Sequence, residues 1–323
     1  VSVHRRQGIP VMMFGSKQKK YLLSGRHSWF TSRFVVLLIC VAIISLFSVS
    51  FVLWRSRNGA LPSMTGLYTD WKNASYTEVH TKTGLILAKR PLDGEALSLR
   101  GFSAYYLYCA QTDPAIAQEY LVDSIVSLRN AWYRVSSIDK PVVAYILGKG
   151  YYQRGFYYAD LAMKYLAYAR DSGLQRDDLS EYIGLTADLL GDNALAIASF
   201  TEALASSPSD LLLFTLSRSY LKAEDIDKAK QYFLETIRVT SDDLLANRCR
   251  FELGMILLKE ERFDEAESEF TTIMEKEPNS ADAQYGLGVL YEARGELVKA
   301  RAAWRKALRL NPVHSGARQK MNI

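Results

Sequence analysis

Residues 281–314 read ADAQYGLGVLYEARGELVKARAAWRKALRLNPVH, and the 34 residues before them, 247–280, read NRCRFELGMILLKEERFDEAESEFTTIMEKEPNS. The two stretches carry like residues at like offsets. Leu287-Gly288 answers Leu253-Gly254, Tyr291 answers Leu257, Ala300 answers Ala266, Trp304 answers Phe270, Ala307 answers Ile273 and Pro312 answers Pro278. Each mark has a physical reason. A leucine turns inward from a first helix, and the glycine beside it has no side chain, so a second helix can come close. Alanine does the same from the other side. The large aromatic four residues on shares that helix face. Proline ends the second helix, because it lacks a backbone donor and disfavours helix at the residue before it. One such hairpin cannot bury its apolar face alone, so the units must stack.

The pattern continues upstream. Residues 210–246 give Leu216-Ser217, Tyr220, Ala229 and Phe233, with three extra residues and no closing proline. Residues 177–209 give Ile183-Gly184, Ala187, Gly191, Ala196, Phe200, Ala203 and Pro208. In 141–176, Leu147-Gly148, Tyr151 and Gly155 are in place, while Ala162, Leu166 and Ala169 arrive two residues late, which predicts a longer turn at 155–157. Residues 94–140 predict an enlarged hairpin with helices over 95–109 and 114–135, since Asp113-Pro114 is a cap followed by a proline at the first helical position. A further hairpin is expected before Pro91, turning at 72–75.

This pattern resembles the tetratricopeptide repeat, which has a 34-residue period. The resemblance implies an all-α superhelix of hairpins, an α-solenoid, over 141–314. Residues 55–140 then form a linker and divergent hairpins, and 315–323 a tail or cap. It also implies that the first helices line a concave groove into which the fifth and ninth residues of each unit point. The fifth are Tyr145, Glu181, Phe214, Phe251 and Tyr285; the ninth are Lys149, Leu185, Arg218, Met255 and Val289. The expected partner-binding residues are therefore Tyr145, Lys149, Phe214, Arg218, Phe251, Met255 and Tyr285, with a strip of Phe214, Phe251 and Tyr285 at its centre. The alternative is that these rings only cover a neighbouring helix, since isolated exposed apolar residues are ordinary. Some family members grip a C-terminal carboxylate with Lys and Asn side chains; the matching places here are mostly aromatic or aliphatic. The expected partner is an extended or helical protein segment with apolar side chains, oriented by Lys149, Arg218, Lys222 and Arg248.

Residues 34–54 carry no charge and are long enough to cross a bilayer as one helix, which predicts a transmembrane span. The run exceeds the 7–15-residue core of a signal peptide and no Ala-x-Ala follows, so an uncleaved anchor is expected. Residues 1–33 hold seven basic and no acidic side chains, against Arg55 and Arg57 just past the run. The positive-inside rule then puts the N-terminus in the cytoplasm and the repeats outside it, on a bacterial inner membrane. A start at Met12 or Met13 would keep five of the seven.

Of 40 basic and 35 acidic residues, nine basic and no acidic ones lie in 1–57, which leaves 31 against 35 for the rest. The positive charge therefore belongs to the flanks of the apolar run and suits anionic lipid headgroups. Without a basic stripe on the repeats, nucleic acid is not an expected partner. Cys40, Cys109 and Cys249 are too far apart along a stack to form a framework and read as small buried side chains. No His-Glu-x-x-His, Cys-x-x-Cys or phosphate-binding glycine loop is present, so neither an enzyme, a metal nor a cofactor is expected. Acidic pairs such as Asp177-Asp178 and Glu260-Glu261 read as helix starts and solvated turns.

The sequence thus predicts a membrane-tethered scaffold for protein partners. The anchor-plus-repeat plan, with Leu147-Gly148-Lys149-Gly150-Tyr151-Tyr152 and the closing 302–308 segment, resembles anchored tetratricopeptide proteins of spirochaetes, some of which build the periplasmic collar of the flagellar motor. A periplasmic chaperone or envelope-assembly factor, and an accessory subunit of a cell-wall enzyme complex, are the alternatives. The apolar run holds no Gly-x-x-x-Gly, and self-association is left open by the sequence.

Overall fold

The computed structural model describes residues 28–57 and 61–322, and within the first helix it describes the side chains of 36–51. That helix, α1 (Ser28–Arg57), exposes Val36, Leu37, Ile44 and Phe47 by more than half. Within the described residues no helix is long and apolar enough to cross a membrane. The ends of the expected span, 34–35 and 52–54, and the basic residues that flank it lie outside the residues whose side chains are described.

Residues 62–323 make a separate unit. Among its described residues it consists of seven helical hairpins and a closing helix. The hairpins are α2 (Met64–Lys72) with α3 (Tyr76–Lys89), α4 (Gly94–Ala110) with α5 (Pro114–Trp132), α6 (Lys140–Gln153) with α7 (Ala159–Asp171), α8 (Leu179–Leu190) with α9 (Asn193–Ser206), α10 (Asp210–Lys222) with α11 (Ile226–Val239), α12 (Asp243–Lys259) with α13 (Phe263–Lys276), and α14 (Ala281–Ala293) with α15 (Leu297–Leu310). The closing helix is α16 (Ser315–Met321). First helices of successive hairpins touch, as α4 does α6, α6 does α8 and α12 does α14, which places them on the inner side of the stack.

The repeated marks form the seam. Phe200, Phe233 and Phe270 are fully buried, as are Ala196, Ala229, Ala266 and Ala300. A methyl group added at Gly254 would sit 2.6 Å from the Phe270 ring, too near for any real contact, so only glycine lets α13 approach α12 this closely. Position 217 replaces that glycine with serine; its hydroxyl, fully buried, donates to the Leu213 carbonyl at 2.7 Å rather than remaining unpaired. Helix starts follow the Asp and Ser residues: Asp93, Asp113, Ser209 and Ser280 each accept a backbone N–H of the first turn.

The late register of α7 has a local cause. Gly155 takes φ +83° and is followed by a 3₁₀ turn, Phe156–Tyr158, which delays the helix and brings Ala162, Leu166 and Ala169 into the core. The three extra residues before 247 are not loop. They lengthen α12 by a turn, capped by Asp242, whose carboxylate accepts from the Leu244 N–H at 2.8 Å. In the enlarged second hairpin, Asp123 of α5 binds Arg100 of α4 and His80 of α3, each at 2.7 Å, which ties three helices together. At the far end α16 covers the last hairpin: Ala317 is fully buried, Lys320 lies 5.5 Å over the Trp304 ring, and His314 meets Asp282 at 3.0 Å.

The expectation of three buried cysteines is corrected. Cys40 and Cys109 are exposed, and only Cys249 is buried. Burial pushes the Cys249 thiol up to about 12, which leaves it a protonated packing group at neutral pH.

Phe270 touches two hairpins, so Phe270→Ala should lower the unfolding free energy by about 3–5 kcal/mol, the range for deleting a buried aromatic. Urea titration followed by helical circular dichroism measures it. A change under about 1 kcal/mol would mean that the seam lies elsewhere.

Candidate functional site

The inner face of the first helices holds the expected site residues, and the structure separates them into two groups. Tyr145 and Lys149 belong to a closed cluster where α6 meets α8. The Lys149 ammonium contacts the Asp178 carboxylate at 2.6 Å and lies 5.5, 5.0 and 4.4 Å from the rings of Tyr105, Tyr145 and Tyr182. The Tyr145 hydroxyl donates to the same carboxylate. Burial is the largest influence on Lys149 and acts to lower its pKa, but the hydrogen bond to Asp178 and the neighbouring tyrosines outweigh it, so the ammonium titrates above its ordinary value. Lys149, expected to orient a partner, is held by Asp178. Asp178 stands at the start of α8, as expected, and its carboxylate also joins that hairpin to α6.

Phe214, expected at the centre of the strip, is buried. It is 4% exposed, with its ring 6.0 Å from that of Phe233, and belongs to the core. Phe251 and Tyr285 are half-buried: Phe251 leans on Phe270 at 6.1 Å and Tyr285 on His314 at 4.9 Å. Met255 is half-buried against the α12–α13 core. The three rings therefore each cover a neighbouring helix and do not line up as an open aromatic strip. The fifth residue of a unit sits where a first helix faces both the seam and the groove, and a large ring turns into the seam because more apolar area is lost from water there.

Cations remain on that face. Arg218 and Arg248 are exposed, and their guanidiniums lie 5.9 and 4.6 Å from the one Phe214 ring. Among the described residues neither has a carboxylate within 4.0 Å, whereas Lys222 is neutralised by Asp188 at 2.5 Å. Between them sits Glu252, a residue the sequence reading passed over, on the same face of α12 as Arg248. Desolvation raises its carboxyl pKa, and the two arginines offset this only in part. Glu181, at the corresponding inner face of α8, is raised for the same leading reason, with Asp178 adding to it. The spacing of Arg248 and Glu252, four residues on one helix, was the available signal. Among the described residues no group of three or more His, Cys, Asp or Glu could hold a metal ion.

The tetratricopeptide repeat family model matches residues 214–273 and 251–315, which span α10 to α15. Over these hairpins the chain matches the tetratricopeptide repeat. The C-terminal part of a TPR repeat-containing protein from Cytophaga hutchinsonii aligns over 80% of this chain and 98% of its own, at 18% identity and a TM-score of 0.55, and shows the same fold. YrrB, described as a TPR protein with an unusual peptide-binding site, aligns over 61% of this chain and 98% of its own at 21% identity and a TM-score of 0.46. MamA aligns over 55% and 94% at 21% identity and a TM-score of 0.44. A search of the curated proteins gave no match.

A carboxyl with a folded pKa above its unfolded value binds more protons in the folded state, so it lowers stability as pH rises from about 4.5 through the folded pKa. Replacing Glu252 with Gln should therefore raise the melting temperature at pH 7 and leave it nearly unchanged at pH 4. Parallel melts at the two pH values measure the difference. A lower Tm at pH 7 would show that Glu252 is a net counter-ion for the arginines.

Proposed function

We propose that this chain is a membrane-anchored scaffold whose repeats capture protein partners on the inner face of the first helices. The observation that carries the binding reading is the pair Arg218 and Arg248, exposed over the single Phe214 ring, each feeling the charge of Glu252 but with no carboxylate within 4.0 Å among the described residues. Two guanidiniums against one nearby carboxylate leave positive charge for an acidic partner group, and exposed arginines beside aromatic surface are the common hot spots of interfaces. The partner segment brings apolar side chains to the half-buried Phe251, Met255 and Tyr285 and an acidic side chain to the arginines. The apolar, charge-free run 34–54 with its basic N-terminal flank supports an anchor with the N-terminus in the cytoplasm and the repeats on the other side of a bacterial inner membrane. An envelope assembly, of which a flagellar-motor collar is one kind, suits a tethered solenoid of this sort.

Two experiments test this. Protease added to spheroplasts should digest 61–323 and spare the N-terminal segment; intact repeats beside a digested periplasmic control would overturn the orientation. Crosslinking in the native membrane should yield partners whose recovery falls at least tenfold in Arg218→Glu/Arg248→Glu, equivalent to about 1.4 kcal/mol, with the melting temperature unchanged. Equal recovery from a folded variant would move the binding surface elsewhere.

A further inference from the structure

At the other end of the repeat unit, α2, α4 and the start of α6 wall a cleft of about 700 Å³ that contains none of the arginine pair just described. That volume falls within the roughly 300–1,000 Å³ of ordinary ligand sites. Its apolar wall is assembled from three helices before any ligand arrives. Trp71 lies 5.2 Å from Tyr76, 5.6 Å from Tyr106 and 6.1 Å from Phe102, while Tyr76 and Tyr106 stack at 4.6 Å. Rings that brace one another edge to face hold their positions, yet Tyr106 keeps 41% of its surface open. An aromatic wall left open on a solenoid's inner side is surface that a partner's side chain can cover.

The rim decides the polarity of that partner. Glu95 and Asp139 each accept a hydroxyl, from Tyr68 at 2.5 Å and from Ser136 at 2.7 Å. Arg134 and Arg176 also line the cleft, and among the described residues neither has a carboxylate within 4.0 Å. Arg134 spends one N–H on the Asn130 carbonyl, at 2.6 Å. The acidic rim groups thus have donors of their own, while two planar guanidiniums, the side chain best shaped for a carboxylate, stand without one.

We infer that the α2/α4/α6 cleft binds a segment of a partner protein that inserts one bulky apolar side chain against Trp71, Phe102 and Tyr106 and sets an adjacent Asp or Glu against Arg134 and Arg176. This is a second contact point, independent of Arg218 and Arg248. A partner spanning both would gain from each, because the second contact forms at the high local concentration set by the first.

The full-length chain in detergent, immobilised and panned with a randomised peptide library blocked at its C-termini, tests the inference. Enriched peptides should carry Phe, Trp or Leu within two residues of Asp or Glu. Their affinity should fall at least tenfold for Arg134→Glu/Arg176→Glu, and likewise for Trp71→Ala, and should be unchanged for Arg218→Glu/Arg248→Glu. Both arginines of the first variant are exposed, so its loss of binding reads the rim and not the fold. No enrichment over a blank surface, or enriched peptides indifferent to Arg134 and Arg176, overturns the inference. Peptides lost only on reversing Arg218 and Arg248 overturn it too, and leave the groove reading standing.

Discussion

The Phe270 ring lies against Gly254 of its own hairpin and Gly286 of the next, and a methyl group on Gly254 or Gly286 would collide with it. One aromatic thus seals two seams at once, within a hairpin and between hairpins. Phe200 closes on Gly184 and Trp304 on Gly288, each within its own hairpin. Because each contact is local in sequence or one period away, stability accumulates along the stack by nearest-neighbour steps. Every first helix is then held at a fixed rotation, and that rotation decides which residues reach the inner face.

Charge pairing follows the same period. Lys149 meets Asp178, Lys222 meets Asp188, Lys230 meets Glu260 and Arg294 meets Asp264, each joining one hairpin to its neighbour, while Lys276 meets Asp243 within a hairpin. Most of these are exposed and contribute little to stability one by one. Lys149 and Asp178 are the exception, since the ammonium is largely buried among three tyrosine rings. Arg218, Arg248, Arg134 and Arg176 share with several other surface cations the lack of a carboxylate within 4.0 Å among the described residues, and they lie beside an aromatic ring or line the cleft.

The hairpins were legible in the sequence because their marks are small and large residues in fixed alternation, and size is what a close helix crossing selects. Even the delay in α7 could be read from Ala162, Leu166 and Ala169 arriving two residues late. The site was less legible. Phe214 and Arg218 share one face of α10, yet the ring goes into the seam and the guanidinium stays out, a choice made by Phe233 and Arg248 on other helices. Lys149 looked like a free groove cation because its counter-ion, Asp178, is 29 residues away. The cleft beside Trp71 lies in the divergent hairpins, where no repeated position marks a residue as facing inward.

The closing helix α16 also bears on how copies of this chain can meet. A stack of self-similar hairpins ends in a face shaped to receive another hairpin, and an open end of that kind would let molecules join head to tail without limit. Here Ala317 and Lys320 lie over the last hairpin, and Tyr285 packs on Gly316. Arg318 and Gln319, on the outer side of α16, then face water. Within the described residues, α16 thus occupies the face of the last hairpin on which a further hairpin would otherwise stack, and its short polar surface offers no seam of small and large residues in return.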